Sequence, residues 1–235
     1  MFNVDPGSPL LFALEPMTAL FNYMSGQLQR RDLTLQGDGH PVLVFPGFSL
    51  NGSSTVDLRV RLQELGYAVH DWKQGFNYGP GLDFDLWLSL LSQQLQEIHA
   101  HQQCSVSLIG FSLGGTYARE LAKLHPQLVR QVITLGTPFA NPGLGEVEKI
   151  YGKLTGAQFL MDEALFQRLG VAPPVPSSSI YSRTDGFVGW ESCIEKQSPC
   201  HRNIEVKGVS HLGMVHHPDV LKTIASLLIG PDLND

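Results

Sequence analysis

Apolar runs and amphipathic stretches alternate along most of this chain. Near-continuous apolar runs are typical of strands buried on both faces, whereas apolar positions spaced by three and four residues indicate helices. Strands are expected at 41–45, 67–72, 106–109, 131–139, 180–188 and 203–207, and helices at 55–65, 82–101, 116–124 and 218–228. This alternation predicts an α/β fold.

The N-terminal segment, residues 1–40, precedes the alternation. An apolar stripe at helical spacing predicts a helix that begins near Glu15, with Pro16 in its first turn. The stripe consists of Leu14, Met17, Phe21, Met24 and Leu28. We expect this stripe to pack on the domain. The alternative is a mobile helix that forms an apolar substrate entrance or touches a membrane surface.

Residues 140–178 interrupt the alternation and are expected to form a small helical cap above the sheet. Helical patterns at 146–154 and 162–169 are followed by a proline-rich stretch at 173–176. Phe159, Phe166 and their apolar neighbours could present an apolar face to an acyl chain. Alternatively, these helices only pack on the domain.

Composition narrows the class of protein. A length of 235 residues suits a single domain spanning 1–235. The net charge of −6 and the lack of a basic cluster argue against a nucleic-acid partner. No apolar run reaches the roughly 20 residues that span a bilayer, and the N-terminal stretch lacks the basic residues of a signal peptide, so we expect a cytoplasmic location. Three cysteines fit a reducing compartment, and Cys104 is expected in the buried strand.

The strand at 106–109 and the helix at 116–124 are joined by Gly110-Phe111-Ser112-Leu113-Gly114, a Gly-x-Ser-x-Gly turn. In such a strand-to-helix turn the serine has a strained backbone, and its hydroxyl stands at the carboxyl end of the sheet. The helix N-terminus beside it favours negative charge. Ser112 is therefore a candidate nucleophile. The alternative is an ordinary glycine-rich turn with a capping serine.

A nucleophilic serine needs hydrogen-bond donors for the oxyanion that its attack creates. The strand at 41–45 runs into Pro46-Gly47-Phe48 and a Gly/Ser-rich loop, a position from which a backbone amide can reach that oxyanion. We assign the two amides to Phe48 and Leu113. The alternative for the first loop is a plain strand-to-helix turn.

The partners of Ser112 are expected at the tips of later strands. Asp185 follows one strand and fits the acid that orients a histidine, whereas His211 follows the last strand and fits the general base. Asp162, His216 and His217 are the rivals. A metal site formed by the three histidines remains a further alternative, although a convincing carboxylate ligand is missing.

Aromatic and polar residues near the strand tips are candidates for substrate binding. The loop at 75–81 follows the strand at 67–72, and ligands of open α/β sheets bind outside the carboxyl ends of the strands. The candidates are Phe76, Asn77, Tyr78, Phe111, Phe159 and Phe166. The loop is equally compatible with a simple Gly/Pro connector.

The order of these motifs resembles the α/β-hydrolase superfamily, and within it the bacterial lipase/esterase-like serine hydrolases. The resemblance covers about residues 40–230 and includes Leu135-Gly136-Thr137-Pro138-Phe139 and Ser210-His211-Leu212-Gly213. It implies a mostly parallel central sheet flanked by helices, an acyl-enzyme mechanism on Ser112, Asp185 and His211, and no cofactor or metal. Many lipases begin the oxyanion loop with His-Gly, whereas this chain has Pro46-Gly47.

The predicted function is hydrolysis of carboxylic esters, with a small-molecule substrate that carries an apolar acyl chain. Transient contact with a lipid surface is compatible with this function. A thioesterase, an amidase or an acyltransferase would use the same three residues, because the leaving group and the acceptor are selected by the pocket walls. A binding protein without catalysis is the alternative from another class, since a fold does not determine a function.

Overall fold

The computed structural model of the protein describes residues 9–28, 35–81, 83–139, 163–196 and 199–230. The helices in these ranges are α1 (Pro9–Leu28), α2 (Val56–Glu64), α3 (Phe84–Gln102), α4 (Leu113–Leu124), α5 (Glu163–Gly170) and α6 (Pro218–Leu228). The strands are β1 (Pro41–Phe45), β2 (Ala68–Asp71), β3 (Val106–Phe111), β4 (Val129–Leu135), β5 (Ser177–Tyr181) and β6 (His201–Glu205). The predicted α/β alternation is confirmed.

The six strands form one parallel sheet in the order β2-β1-β3-β4-β5-β6. The chain moves outward from β1 to β2 and then returns to place β3 on the other side of β1. Ligands of open parallel sheets bind at such a reversal, outside the carboxyl ends of the strands. Phe45 of β1 pairs with Gly110 of β3 at this point. The loops that follow β1 and β3 therefore start side by side.

Apolar layers cover both faces of the sheet. Val42 and Val44 of β1 belong to the layer formed with α2 and α6, whereas Leu43 and Phe45 belong to the layer formed with α3 and α4. Because successive side chains of a strand point to opposite faces, apolar residues are favoured at every position of a strand that is covered on both sides. This arrangement explains the continuous apolar run at 41–45.

Helix α1 differs from its predicted form in both length and orientation. It begins before Glu15, so that Pro16 lies inside the helix. Four side chains of the predicted apolar stripe are between 41% and 73% exposed, namely Leu14, Met17, Phe21 and Met24. Glu15 and Asn22 face the domain instead, each only 1% exposed. The expectation that the stripe packs on the domain is therefore wrong.

The expected cap falls largely on residues 140–162, which lie outside the described residues together with Phe159 and Asp162. Its C-terminal part is α5, which packs beside α4. Lys123 Nζ donates to the Arg168 carbonyl at 2.7 Å, and Arg168 Nε lies 3.2 Å from a carboxylate oxygen of Glu120. These contacts between charged side chains and a backbone carbonyl attach α5 to the helix that follows Ser112.

The start of β5 and the burial of Cys104 differ from the sequence prediction. Strand β5 begins at Ser177, inside the segment expected to close the cap, because Ser177 to Ser179 pair with β4 and β6. Cys104 is exposed just before β3, so its expected burial in the strand is wrong. Among the described helices, none is both long enough and apolar enough to cross a membrane.

Candidate active site

Ser112 occupies the turn between β3 and α4 and has a strained backbone. Its φ of 51° and ψ of −123° lie outside the regions that residues other than glycine ordinarily adopt. A Cβ at Gly114 would lie 2.5 Å from the Phe45 carbonyl oxygen, and one at Gly110 would lie 2.3 Å from the backbone of α4. The turn can form only because glycine stands on both sides of the serine.

The loop after β1 lies against this serine. A Cβ built on Gly47 would be 3.3 Å from Ser112 Cβ. The Leu50 N–H donates to the Gly47 carbonyl at 3.2 Å, which turns the chain around Phe48. Leu113 is the first residue of α4, where the amides have no acceptor within the helix itself. The loop of Phe48 and the first amides of α4 thus meet beside the same side chain.

Asn77 holds this loop in place. Its Nδ2 donates to the Pro46 carbonyl at 2.9 Å, and its Oδ1 accepts from the Tyr117 hydroxyl at 3.0 Å. Its own backbone exchanges two hydrogen bonds of 2.7 Å with Ser49 and Leu50. Because Asn77 is fully buried, it supports the loop instead of forming the substrate contact that the sequence predicted.

Asp185 and His211 are hydrogen-bonded to each other. Asp185 Oδ2 lies 2.6 Å from His211 Nδ1, and both side chains are almost completely buried. Asp185 Oδ1 accepts from the N–H groups of Phe187 and Val188 at 2.9 Å and 2.8 Å. The carboxylate is therefore fixed by its own loop, and the imidazole is fixed by the carboxylate. His211 Nε2 is the ring nitrogen on the side away from Asp185.

Strand β4 connects Ser112 to this pair. The Ser112 N–H donates to the Leu135 carbonyl at 2.8 Å. Gly136 follows with a φ of 56°, and a Cβ there would lie 3.1 Å from both Asp185 Oδ2 and His211 Nδ1. Any larger residue at position 136 would press on the pair. The three residues singled out in the sequence thus converge on the end of β4, at the carboxyl edge of the sheet.

The pKa of His211 reflects two opposing influences. Burial of the ring by itself lowers the pKa, whereas the charge and hydrogen bond of Asp185 and the charge of Glu15 raise it. The carboxylates prevail, so that the pKa of His211 lies above its ordinary value. Such a ring is a stronger base than an isolated histidine, provided that the pH is high enough to leave it neutral.

Solved structures share this architecture. Aspergillus fumigatus lipase B superposes with a TM-score of 0.64 and 17% sequence identity, over 83% of this chain and 56% of the lipase chain. An alpha/beta superfamily hydrolase from Oenococcus oeni PSU-1 superposes with a TM-score of 0.60 and 15% identity, over 85% of this chain and 94% of the other. This chain has the α/β-hydrolase fold.

A Paleococcus ferrophilus monoacylglycerol lipase has the same fold, with a TM-score of 0.57 and 16% identity, over 83% of this chain and 95% of the lipase. This chain spans 56% of the length of the Aspergillus lipase chain. At the level of sequence, no protein-family model and no curated protein matches. The similarity therefore lies in the arrangement of the α/β-hydrolase fold.

Sequence reasoning missed two residues of α1 that contact the loops of Asp185 and His211. Glu15 accepts hydrogen bonds from the backbone of Gly186 and His211, and Asn22 accepts from Ser210. The sequence did contain a signal for the contact of Glu15, because Glu15 is the only formally charged residue in the sequence of α1. A lone carboxylate in an apolar helix is expected either to face water or to meet donors.

A second set of the same three residue types lies at the opposite edge of this α/β-hydrolase fold. His40 Nε2 lies 2.8 Å from Ser107 Oγ, and His40 Nδ1 contacts an oxygen of Asp38. Ser107 is fully buried inside β3, so no substrate can reach its hydroxyl. Burial also lowers the pKa of His40. This set joins the starts of β1 and β3 and is structural.

The two rival histidines are engaged elsewhere. His216 Nδ1 lies 3.3 Å from Asp57 Oδ2, and its ring packs edge-on against Tyr23. His217 is the N-cap of α6 and accepts from the Asp219 N–H at 3.2 Å. Within the described ranges, no three His, Cys, Asp or Glu residues are grouped so that they could hold a metal ion.

The predicted substrate-binding aromatics occupy different environments. Phe76 and Tyr78 are 52% and 68% exposed and stack on each other, with ring centroids 5.6 Å apart. Phe111 is buried, and its ring centroid lies 4.9 Å from that of His211. Phe166 is half-buried on α5. Phe111 therefore packs against His211, whereas Phe76 and Tyr78 are exposed enough to contact a ligand.

Proposed function

We propose that this protein is a serine hydrolase that cleaves carboxylic esters through an acyl-enzyme intermediate. The observation that carries the proposal is the strained Ser112 at the carboxyl edge of the sheet, where the buried Asp185–His211 pair also lies. Backbone strain at a serine between a strand and a helix is unfavourable unless the surrounding structure enforces it, and such strain concentrates at functional sites.

In the proposed mechanism, His211 Nε2 takes the Ser112 proton as the hydroxyl oxygen attacks the ester carbonyl. The amides of Phe48 and Leu113 stabilise the resulting oxyanion, and one such donor typically contributes about 10²–10³ in rate. The imidazolium then protonates the leaving alcohol. Water attacks the acyl-enzyme in the same way, releases the acid and regenerates Ser112. Asp185 holds the His211 tautomer throughout.

The proposed substrate is a small-molecule ester with an apolar acyl chain. Phe76 and Tyr78 expose an aromatic stack on the loop that Asn77 anchors beside the Phe48 loop. On the other side, the exposed apolar side chains of α1 lie near the loops of Asp185 and His211, since Phe12 packs against Phe187 with ring centroids 5.0 Å apart. Both surfaces favour a medium or long acyl chain over acetate.

The test is hydrolysis of chromogenic esters with acyl chains of about two to sixteen carbons, since pocket size discriminates between chain lengths. Ser112→Ala is compared with Ser89→Ala, which removes an exposed hydroxyl from α3. The kcat of Ser112→Ala should be about 10⁴–10⁶-fold lower than that of the wild type, whereas the kcat of Ser89→Ala should equal it. An active Ser112→Ala enzyme would refute the mechanism.

The same assay separates the alternative functions. A thioester or amide cleaved faster than any ester would identify a thioesterase or an amidase, and ester product formed with an added alcohol would identify an acyltransferase. Labelling of Ser112 by a fluorophosphonate probe would show that the serine is activated. A folded protein that neither labels nor hydrolyses any of these substrates would favour the non-catalytic alternative.

A further inference from the structure

A buried carboxylate on α1 reaches the loops of both proposed catalytic partners. Glu15 Oε1 accepts from the Gly186 N–H at 2.7 Å and from the His211 N–H at 2.8 Å. Glu15 Oε2 accepts from the Leu212 N–H at 3.2 Å. Gly186 directly follows Asp185, so that Glu15 Oε1 connects the backbone next to Asp185 with the backbone of His211.

Asn22 extends this contact two helical turns further along α1. Its Oδ1 accepts from both the backbone N–H and the hydroxyl of Ser210, at 3.1 Å and 3.2 Å. The Ser210 hydroxyl in turn accepts from the Gly213 N–H at 3.1 Å. The backbone on both sides of His211 is therefore held by side chains of α1.

The two loops are shaped to receive the helix. A Cβ at Gly186 would lie 2.6 Å from the Leu11 carbonyl, and one at Gly213 would lie 2.1 Å from Asn22 Oδ1. Any residue larger than glycine at either position would push α1 away. An ionised carboxylate is expensive to bury unless it is fully hydrogen-bonded, so the three amides are also what allows Glu15 to be buried.

We infer that Glu15, supported by Asn22, is a positioning residue that fixes the distance between Asp185 and His211 from outside both loops. The Asp185–His211 hydrogen bond links side chains from the loops that follow β5 and β6. Glu15 is a buried group that bonds to the backbone of both loops. The inference rests on the proposed function for its effect on catalysis, but the geometry of the pair can be measured without any substrate.

The test compares Glu15→Gln, Asn22→Ala and the control Glu97→Gln, which removes an exposed carboxylate from α3. The first readout is the pKa of His211, from an NMR titration of protein with labelled histidine rings. The charged groups that face the ring are Asp185 and Glu15. Glu15→Gln should lower the pKa of His211 most, because it removes a charge as well as a contact. Asn22→Ala should lower it less, through the displaced pair alone, and Glu97→Gln should leave it unchanged.

The second readout is ester hydrolysis. Displacing a catalytic group by about 1 Å can reduce the rate about 10²-fold, so we expect Glu15→Gln and Asn22→Ala to lower kcat by roughly 10- to 100-fold with little change in KM. The acid limb of the pH profile of kcat/KM should move to lower pH in Glu15→Gln and, by a smaller amount, in Asn22→Ala, but not in Glu97→Gln. Thermal unfolding confirms that each variant is folded.

The outcomes are distinguishable. The inference would be overturned if Glu15→Gln had the same His211 pKa and the same kcat as the control Glu97→Gln. A wild type that hydrolyses no ester, together with a lower His211 pKa in both Glu15→Gln and Asn22→Ala, would overturn the proposed function while supporting the positioning of the pair by α1.

Discussion

The support that Asn77 gives to the Phe48 loop can be tested by changing a single group, with Asn77→Asp. The two side chains have the same shape. The carboxyl keeps an oxygen facing the Tyr117 hydroxyl, which lies 3.0 Å from Oδ1, and the Gly79 N–H, which lies 3.2 Å from it. What changes is the side facing the Pro46 carbonyl, where a donor at 2.9 Å is replaced by a second oxygen.

The expected magnitude follows from this geometry. A buried carbonyl that loses its donor costs about 1–3 kcal/mol, which corresponds to a decrease in Tm of roughly 2–12 °C for a protein of this size. The two facing oxygens also repel each other, and a shift of Pro46 that relieves this contact also moves the loop with the proposed oxyanion amide of Phe48. Since loss of one such amide reduces the rate about 10²–10³-fold, kcat should fall by roughly 10- to 10³-fold.

The pH dependence makes the prediction sharper. Burial raises the pKa of a carboxyl group, and the introduced carboxyl, once protonated, could again donate to the Pro46 carbonyl. The ratio of variant to wild-type kcat should therefore rise as the pH falls, even though the proposed mechanism slows in both proteins when His211 becomes protonated.

The assay measures kcat and KM on one ester between about pH 5 and pH 9, a range that includes the ordinary histidine pKa, together with Tm. Tyr117→Phe is the control, because it removes one hydrogen bond to Asn77 and leaves the bond to Pro46. Its kcat should change far less than that of Asn77→Asp. The reasoning is refuted if Asn77→Asp has the wild-type kcat, or if it loses no more kcat than Tyr117→Phe does.

Two further predictions concern the histidines. Asp185→Asn removes the carboxylate that raises the pKa of His211. The acid limb of kcat/KM should lie above the ordinary histidine pKa of about 6.5 in the wild type and should move to lower pH in the variant. The kcat of the variant should fall about 10⁴-fold. An unmoved acid limb in the pH profile would argue against His211 as the base. Ser107→Ala leaves the buried Nε2 of His40 without its Ser107 partner. It should lower the free energy of unfolding by about 1–3 kcal/mol in chemical denaturation, with kcat unchanged at a temperature where the variant is folded. A loss of kcat in folded Ser107→Ala would give this second set a role that its burial does not suggest.

The sequence predicted the features that local sterics and strand burial impose. Apolar residues are favoured throughout a strand that is covered on both faces, so β1 and most of β3 could be recognised from their apolar runs. The turn at Ser112 has no alternative to glycine at positions 110 and 114, because backbone atoms lie within 2.5 Å of where a Cβ would be. Asp185 and His211 could be predicted because each follows a strand, and the carboxyl ends of parallel strands share one edge.

The role of Asn77 could not be predicted, because it depends on contacts that are remote in sequence. Its partners Pro46 and Tyr117 are separated from it by 31 and 40 residues. A substrate contact was expected because the loop of Asn77 follows a strand of the sheet. The structure shows that the side-chain amide of Asn77 bonds to Pro46 and Tyr117 inside the protein. Ser177 to Ser179 illustrate a related limit, since small polar residues can form a buried strand when both neighbouring strands supply hydrogen bonds.

The orientation of α1 was mispredicted for a more general reason. An apolar stripe is expected to face the domain when the domain offers apolar surface, but the surface beneath α1 includes loop backbone around Asp185 and His211. Unsatisfied N–H groups there would be costly to bury, and acceptors such as Glu15 and Asn22 satisfy them. The helix therefore turns its polar side inward and leaves the apolar side exposed. The donors and acceptors of the loops beneath such a helix decide which face of the helix is buried. A lone charged residue in an otherwise apolar helix is the sequence signal of such a contact.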